Sequence, residues 1–204
     1  MGKIVKTKYF SLIELLVVIA ITGILISIGM PAFNSLMKGQ NVEQSARTIG
    51  SILKSVRSYA ITSRQYAALI IPTNETTLPS SYLYKSFRPC VIDSSNNFLF
   101  WVQDEKWEFM NTGTAILDID DTSGYDTGSF AFATEVDNVN FSSIGGSISV
   151  NSVVGVVFQP TGQTSGATKY VIVGDSTILD GSVSINYIDI IIDQYTGRIS
   201  YGNK

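Results

Sequence analysis

Residues 10–30 read Phe10-Ser-Leu-Ile-Glu14-Leu-Leu-Val-Val-Ile-Ala-Ile-Thr-Gly-Ile-Leu-Ile-Ser-Ile-Gly-Met30. From Leu12 to Met30 the only charge is Glu14, and roughly 20 apolar residues in a helix are what the hydrocarbon core of a bilayer requires. The stretch therefore reads as a transmembrane helix. A carboxylate inside such a segment costs about 2.5–3.5 kcal/mol on insertion scales, so it normally has a partner or a task. No Lys, Arg or His lies in the run to neutralise it. Glu14 either reaches for headgroups at the membrane edge or meets a cation that its own helix does not supply.

The residues before the run set its orientation. Lys3, Lys6 and Lys8 form a basic leader without an acid, which stays on the cytoplasmic side, so everything after Met30 is exported. A secretory signal peptide also begins with basic residues and an apolar stretch. Here the apolar stretch is too long for one, and Met30-Pro31-Ala32-Phe33 leads into more helical sequence in place of a small-x-small cleavage site.

Phe10-Ser-Leu-Ile-Glu14-Leu-Leu-Val-Val-Ile-Ala-Ile resembles the class III signal of type IV pilins and type II secretion pseudopilins. The resemblance implies cleavage between Tyr9 and Phe10 by a prepilin peptidase, and methylation of the new amine on Phe10. It also implies that Glu14 pairs with the terminal amine of a neighbouring subunit, so that assembly resolves the isolated charge. Opposite charges that meet only in the packed filament both gain from the low dielectric there. The family usually carries Gly before the cut where this chain has Tyr9, so either the peptidase accepts an aromatic side chain, the favoured reading, or the chain stays uncut as a membrane-anchored protein. The fold implied is α+β and pilin-like, a long N-terminal helix with a membrane half and an amphipathic half packed on an antiparallel β head. Implied partners are other pilin-like subunits, the peptidase and an inner-membrane assembly platform. The implied location is the inner membrane, single-pass, with the head in the periplasm.

Beyond Pro31, apolar residues fall at Ala46, Ile49, Leu53, Val56 and Ala60, spacings of three and four that define one helical face. Lys38, Glu43, Arg47, Lys54 and Arg57 take other faces and read as solvated charges. Pro31 removes one backbone hydrogen bond and is expected to kink the helix without ending it. The organisation predicted is a leader at 1–9, an assembly helix at 10–31, its amphipathic half at 32–63 and a β-rich head at 64–204.

From Arg64 the texture changes to short β-branched and aromatic runs: Tyr66-Ala-Ala-Leu-Ile-Ile71, Tyr82-Leu-Tyr84, Phe98-Leu-Phe-Trp-Val102, Trp107-Glu-Phe109, Val153-Val-Gly-Val-Val-Phe158 and Tyr187-Ile-Asp-Ile-Ile-Ile192. Turn-rich stretches separate them, and residues 142–152 read as loop. This pattern predicts an antiparallel head of one sheet or two.

Near the end, Phe158-Gln-Pro160-Thr-Gly162 and Ile190-Ile-Ile-Asp193-Gln-Tyr-Thr-Gly197-Arg198-Ile resemble paired elements of GspH/FimT-type minor pseudopilins. As residues they encode turns, with Pro160 presetting one and Gly162 and Gly197 able to take positive φ. Together with an Arg-rich helix end at 46–64, the resemblance implies a minor rather than a major subunit.

Charge bears on partners. The chain holds 14 basic and 17 acidic residues, net −3, and a chain cut before Phe10 would carry −6. From Arg64 onward there are 7 basic and 15 acidic residues. Nucleic-acid binding needs a positive surface to displace counterions, so an acidic head argues against that partner. Without His there is no His-based triad and no usual general base near neutral pH, so no enzymatic activity is expected. The lone Cys90 reads as a small buried apolar residue. Asp118, Asp120, Asp121 and Asp126, with a Gly124 turn, are the right materials for Ca²⁺, but their spacing is not that of an EF-hand loop. A solvated acidic loop is the preferred reading, with no cofactor expected. Asp189 and Asp193 flank one strand and are expected to point outward.

Two function classes remain. One is a structural subunit inserted by its helix into a pilus-like filament, in a type II secretion or type IV pilus system. The other is an uncut, membrane-anchored β domain that binds a ligand or surface polymer, with Trp101 and Trp107 either presenting a binding face or lying in the core.

Overall fold

The computed structural model describes residues 11–73, 78–120, 133–142, 144, 149–177 and 186–203. Helix α1 spans Leu12–Ser63 and continues through Pro31. The chain divides into two compact units, Met1–Lys38 and Gly39–Lys204.

In the larger unit the α1 residues predicted to form an apolar stripe are all buried, and Val42 extends the stripe by one turn. Among the described residues the strands that follow are β1 Tyr66–Ile70, β2 Ser86–Ile92, β3 Phe98–Trp101, β4 Glu108–Phe109, β5 Thr114–Asp120, β6 Thr134–Asn140, β7 Ser149–Phe158, β8 Lys169–Asp175, β9 Tyr187–Ile192 and β10 Ile199–Asn203. They form two antiparallel sheets. One has the order β3-β2-β1-β7-β6 with β4 also paired to β2, and the other has the order β10-β9-β8-β5.

Both sheets turn one face to the helical stripe. Ala67, Leu69 and Ile71, then Val156 and Phe158, alternate with residues on the opposite face, as the period of two in a strand requires. Ile116, Ile119, Val171, Val173, Ile190, Ile192 and Ile199 bring the second sheet into the same core. The architecture is thus the α+β one expected, a long helix on antiparallel strands.

The larger sheet also curls toward closure. Asn97 bridges Asp137 in parallel, the Asp137 N–H donates to the Asn96 carbonyl at 3.0 Å, and Trp101 Nε1 donates to the Asn140 carbonyl at 3.1 Å. Inside the curl, Ala68, Ile70, Cys90, Ile92, Val136, Val139, Phe141 and Val157 meet Phe98, Trp101 and Trp107. Trp107 stacks on Phe141 with ring centroids 5.7 Å apart, and Trp101 meets Trp107 at 5.4 Å. Both Trp side chains are half-buried, so of the two readings given above the core placement is the one seen.

Several local expectations need correction. Tyr82-Leu-Tyr84 is a turn and not a strand, and Tyr84 has φ +60°. Residues 149–152 belong to β7, where Ser149 and Ser152 pair with Asn140 and Asp137. Asp118 and Asp120 stand in β5. Asp118 is buried and its Oδ1 accepts the Ile119 N–H at 2.8 Å, so the acidic-loop reading fails for these two residues. Asp189 is buried as well, because its partner across the strands is Ile172 and Ala115, Leu117, Ile172, Tyr84 and Tyr187 cover that outer face.

Cys90 is fully buried, and burial pushes its thiol well above its ordinary value of 9.0. In the folded state the group stays neutral where the unfolded chain would ionise. Its contribution to stability is therefore present below pH 9 and declines as pH rises beyond it. Native protein is expected to leave a thiol reagent unreacted at pH 8, with one equivalent consumed on unfolding. Rapid labelling of native Cys90 would contradict the burial.

Candidate assembly site

In the smaller unit, Leu12–Met30 is a 19-residue run with mean hydropathy 2.6, long and apolar enough to cross a membrane, and none of it is buried. At about 1.5 Å per residue it reaches about 28 Å. Its polar side chains are satisfied locally. Thr22 Oγ1 donates to the Val18 carbonyl at 2.7 Å and Ser27 Oγ to the Ile24 carbonyl at 2.8 Å, which removes hydroxyl groups that hydrocarbon could not solvate.

Glu14 sits in the first turn of α1. The Ser11 N–H donates to Glu14 Oε2 at 3.2 Å, and the Glu14 N–H donates to Ser11 Oγ at 3.2 Å. These reciprocal bonds form a capping box, with Ser11 as the N-cap and Glu14 three residues on. Residues 1–10 lie outside the described residues, so the proposed processing site at Tyr9 and Phe10 does too. The sequence reading of Glu14 missed Ser11, although Ser-x-x-Glu before an apolar run is the signature that would have found it.

In the larger unit the two turn motifs are brought together. Pro160 and Thr161 are the central residues of a turn closed by the Gly162 N–H donating to the Gln159 carbonyl at 2.8 Å, and Gly162 has φ +83°. In the β9–β10 turn, Asp193 Oδ1 accepts the Thr196 hydroxyl at 2.7 Å and its N–H at 2.8 Å. Those bonds hold the Asp193 carboxyl below its usual range. Gly197 has φ +60°. A Cβ built on Gly197 would fall 1.9 Å from the Gly162 carbonyl oxygen and 2.8 Å from Arg57 Nε. Arg57 Nε itself donates to that carbonyl at 3.1 Å, and the Thr164 N–H donates to the Gln194 carbonyl at 3.2 Å. Arg57 is thus half-buried and tied to a turn, not the solvated charge expected from its place on the helix. Arg198 is exposed, and its N–H donates to Thr196 Oγ1 at 3.2 Å.

The four Asp residues weighed for Ca²⁺ are not seen as a set. Asp121 and Asp126 lie outside the described residues, as does the side chain of Asp120. Among the described residues no group of three or more His, Cys, Asp or Glu side chains is placed to hold a metal.

No protein-family model and no curated protein sequence matches the chain. Among solved structures it is similar to the minor pseudopilin EpsH of the Vibrio cholerae type 2 secretion system. That match has 8% identity and a TM-score of 0.45, and covers 79% of this chain and 95% of that one. It is also similar to the type IV minor pilin FimU of Pseudomonas aeruginosa. One crystal form gives 13% identity and a TM-score of 0.47 over 80% of this chain and 90% of that one. A second gives 14% identity and 0.42 over 79% and 92%. Likeness at this distance says nothing about activity.

Proposed function

We propose that the chain is a structural subunit of a pilus-like filament, a minor pseudopilin of a type II secretion system or a minor type IV pilin, with no catalytic role. The observation that carries this reading is the makeup of α1. Its first 19 residues are apolar, unburied and marked by one carboxylate at the start, and its later turns are buried in a β-rich unit. An exposed apolar segment of this length needs lipid or other helices around it. On this reading the head lies in the periplasm and residues 10–31 anchor the chain in the inner membrane. A prepilin peptidase removes residues 1–9, Phe10 is methylated, and an assembly platform passes the subunit into the filament, where Glu14 meets a neighbour's terminal amine. No nucleic-acid partner and no cofactor are proposed.

Glu14→Ala is the test. The variant is expected to fold and insert normally and to lose cross-linking to neighbouring subunits in cells by about tenfold or more, since stranding one charge of a desolvated pair costs about 3–5 kcal/mol. Co-assembly at the normal level would sink the pairing. Intact mass of protein extracted from its native membrane is an independent check. Loss of residues 1–9 with one added methyl supports the filament reading, whereas a retained leader supports a permanently anchored domain.

A further inference from the structure

We propose that the open edge of β10 is a docking site for an extended, acidic segment of a neighbouring pilin-like subunit, which joins the second sheet as an added strand. The inference rests on the filament reading above. The Asp193 N–H donates to the Arg198 carbonyl at 3.0 Å, and β10 pairs onward as Ser200 with Ile191 and Gly202 with Asp189. Ladder bonds of an antiparallel pair fall on alternate residues, so this register turns the N–H and C=O groups of Ile199, Tyr201 and Asn203 away from β9. Those groups meet no backbone partner among the described residues.

Among the described residues the other sheet edges are guarded. β3 and β6 lean on each other through Asn97 and Asp137, β5 gives its Ile116 N–H to the Tyr84 carbonyl at 2.8 Å, and β4 is two residues long. β10 has none of the devices that keep an edge from pairing: Ile-Ser-Tyr-Gly-Asn holds no Pro and no charge, and its register with β9 is unbroken. The strand is also fixed in place, because the Tyr201 hydroxyl rests against Gly50 of α1, where a side chain would collide with it. A rigid row of outward backbone groups accepts an extended chain of any sequence, and the flanks select among sequences. Lys54 and Arg198 are exposed and have no carboxylate partner among the described residues. Lys54 Nζ lies 5.7 Å from the centre of the Tyr201 ring. Tyr201 shares the helix-facing side of β10 with Ile199, whereas Arg198 alternates to the other side with Ser200. An added strand thus meets one cation on each face. In a head with 7 basic and 15 acidic residues from Arg64 onward, cations left unpaired beside an open edge call for an anionic occupant. Subunits held side by side in a filament present such a segment at high effective concentration, so a short pairing suffices.

The test uses full-length chain in its native host, with the photo-cross-linking residue p-benzoylphenylalanine in place of exposed Ser200 and, in a parallel strain, in place of exposed Ile19 as a reporter of helix assembly. Tyr201→Pro and Tyr201→Ala both remove the ring, but only Pro also removes the outward N–H, at an edge position where Pro is tolerated. The adduct from position 200 is expected to map to an acidic segment of a pilin-like subunit. Its yield should be about tenfold lower in Tyr201→Pro than in Tyr201→Ala, the effect of losing one backbone hydrogen bond and stranding its partner, and about threefold lower than wild type in Lys54→Glu. Protection of Cys90 from a thiol reagent verifies that each variant is folded, and Lys54→Glu decides the matter if Tyr201→Pro opens the head. No adduct from position 200, or equal yields from folded Tyr201→Pro and Tyr201→Ala, overturns the docking edge while normal cross-linking from position 19 leaves the filament reading standing. An adduct with an exported protein in place of a subunit overturns the occupant, and an unchanged yield in Lys54→Glu overturns its acidic character. Absence of adducts from both positions overturns the filament reading and this proposal with it.

Discussion

Gly197→Ala is expected to lower the stability of the β head by about 3–5 kcal/mol, combining left-handed backbone strain with overpacking. The two costs have separate origins. At φ +60° a side chain strains the backbone wherever it points. Independently, the new Cβ would lie 1.9 Å from the Gly162 carbonyl oxygen, a backbone atom that cannot rotate away. Relief requires moving the Gln159–Gly162 turn, and that breaks the bond from Arg57 Nε to the same carbonyl. Gly162→Ala should cost less. Its φ of +83° is also unfavourable, but the closest atom to its Cβ is the Ile61 side-chain terminus at 2.7 Å, which can change rotamer. Gly202→Ala is the control, since its nearest neighbour is 3.5 Å away and no positive φ is involved. Denaturation of detergent-solubilised full-length chain, followed by Trp fluorescence, would rank the three. Both Trp residues of the chain lie in the head, so the signal reports that unit. A Gly197→Ala midpoint equal to that of Gly202→Ala would refute the close approach of the two turns.

The sequence disclosed some of this and concealed the rest for definable reasons. The helix was legible because burial on one side leaves a period of 3.6, and Ala46, Ile49, Leu53, Val56 and Ala60 repeat at that period. β1 and β9 were legible as dense apolar runs with turn residues nearby. β2 was not, because Pro89 argues against a strand interior; in the fold its carbonyl accepts the Val102 N–H at 3.2 Å, next to the Cys90–Trp101 pair at which the ladder with β3 ends. β6, Thr-Glu-Val-Asp-Asn-Val-Asn, and β8 carry polar residues that weaken the apolar signal, and tertiary pairing with β7 and β9 overrides it. Pro160, Gly162 and Gly197 were recognisable as turn residues. That the turns meet, with Arg57 between them, depends on contacts 105 residues apart in sequence, and no local pattern encodes them. At the N-terminus the reverse held. Ser11 and Glu14 are three residues apart and form a local motif that the sequence displays in full.

Phe158→Ala is expected to cost about 3–5 kcal/mol, the range for truncating a buried aromatic residue. Phe158 is fully buried in the core shared by the helix and both sheets, and it pairs with Ala67 across β1 and β7. The cross-strand partner, Ala67, is too small to fill the void that an alanine would leave. Phe158→Leu, which retains much of the volume, should cost less than half as much. The same residue is the last of β7 before the Gln159–Gly162 turn, and it bridges Thr164 on the far side of that turn. Its ring and the Gly162–Gly197 contact therefore hold one segment from two sides. The double variant Phe158→Ala/Gly197→Ala should lose less stability than the two single losses added together, because once either support is gone the turn can relax around the other defect. Strict additivity in the same fluorescence-detected denaturation would show that the strand end and the turn yield independently, and that the Phe-x-Pro-x-Gly run is two structural devices instead of one.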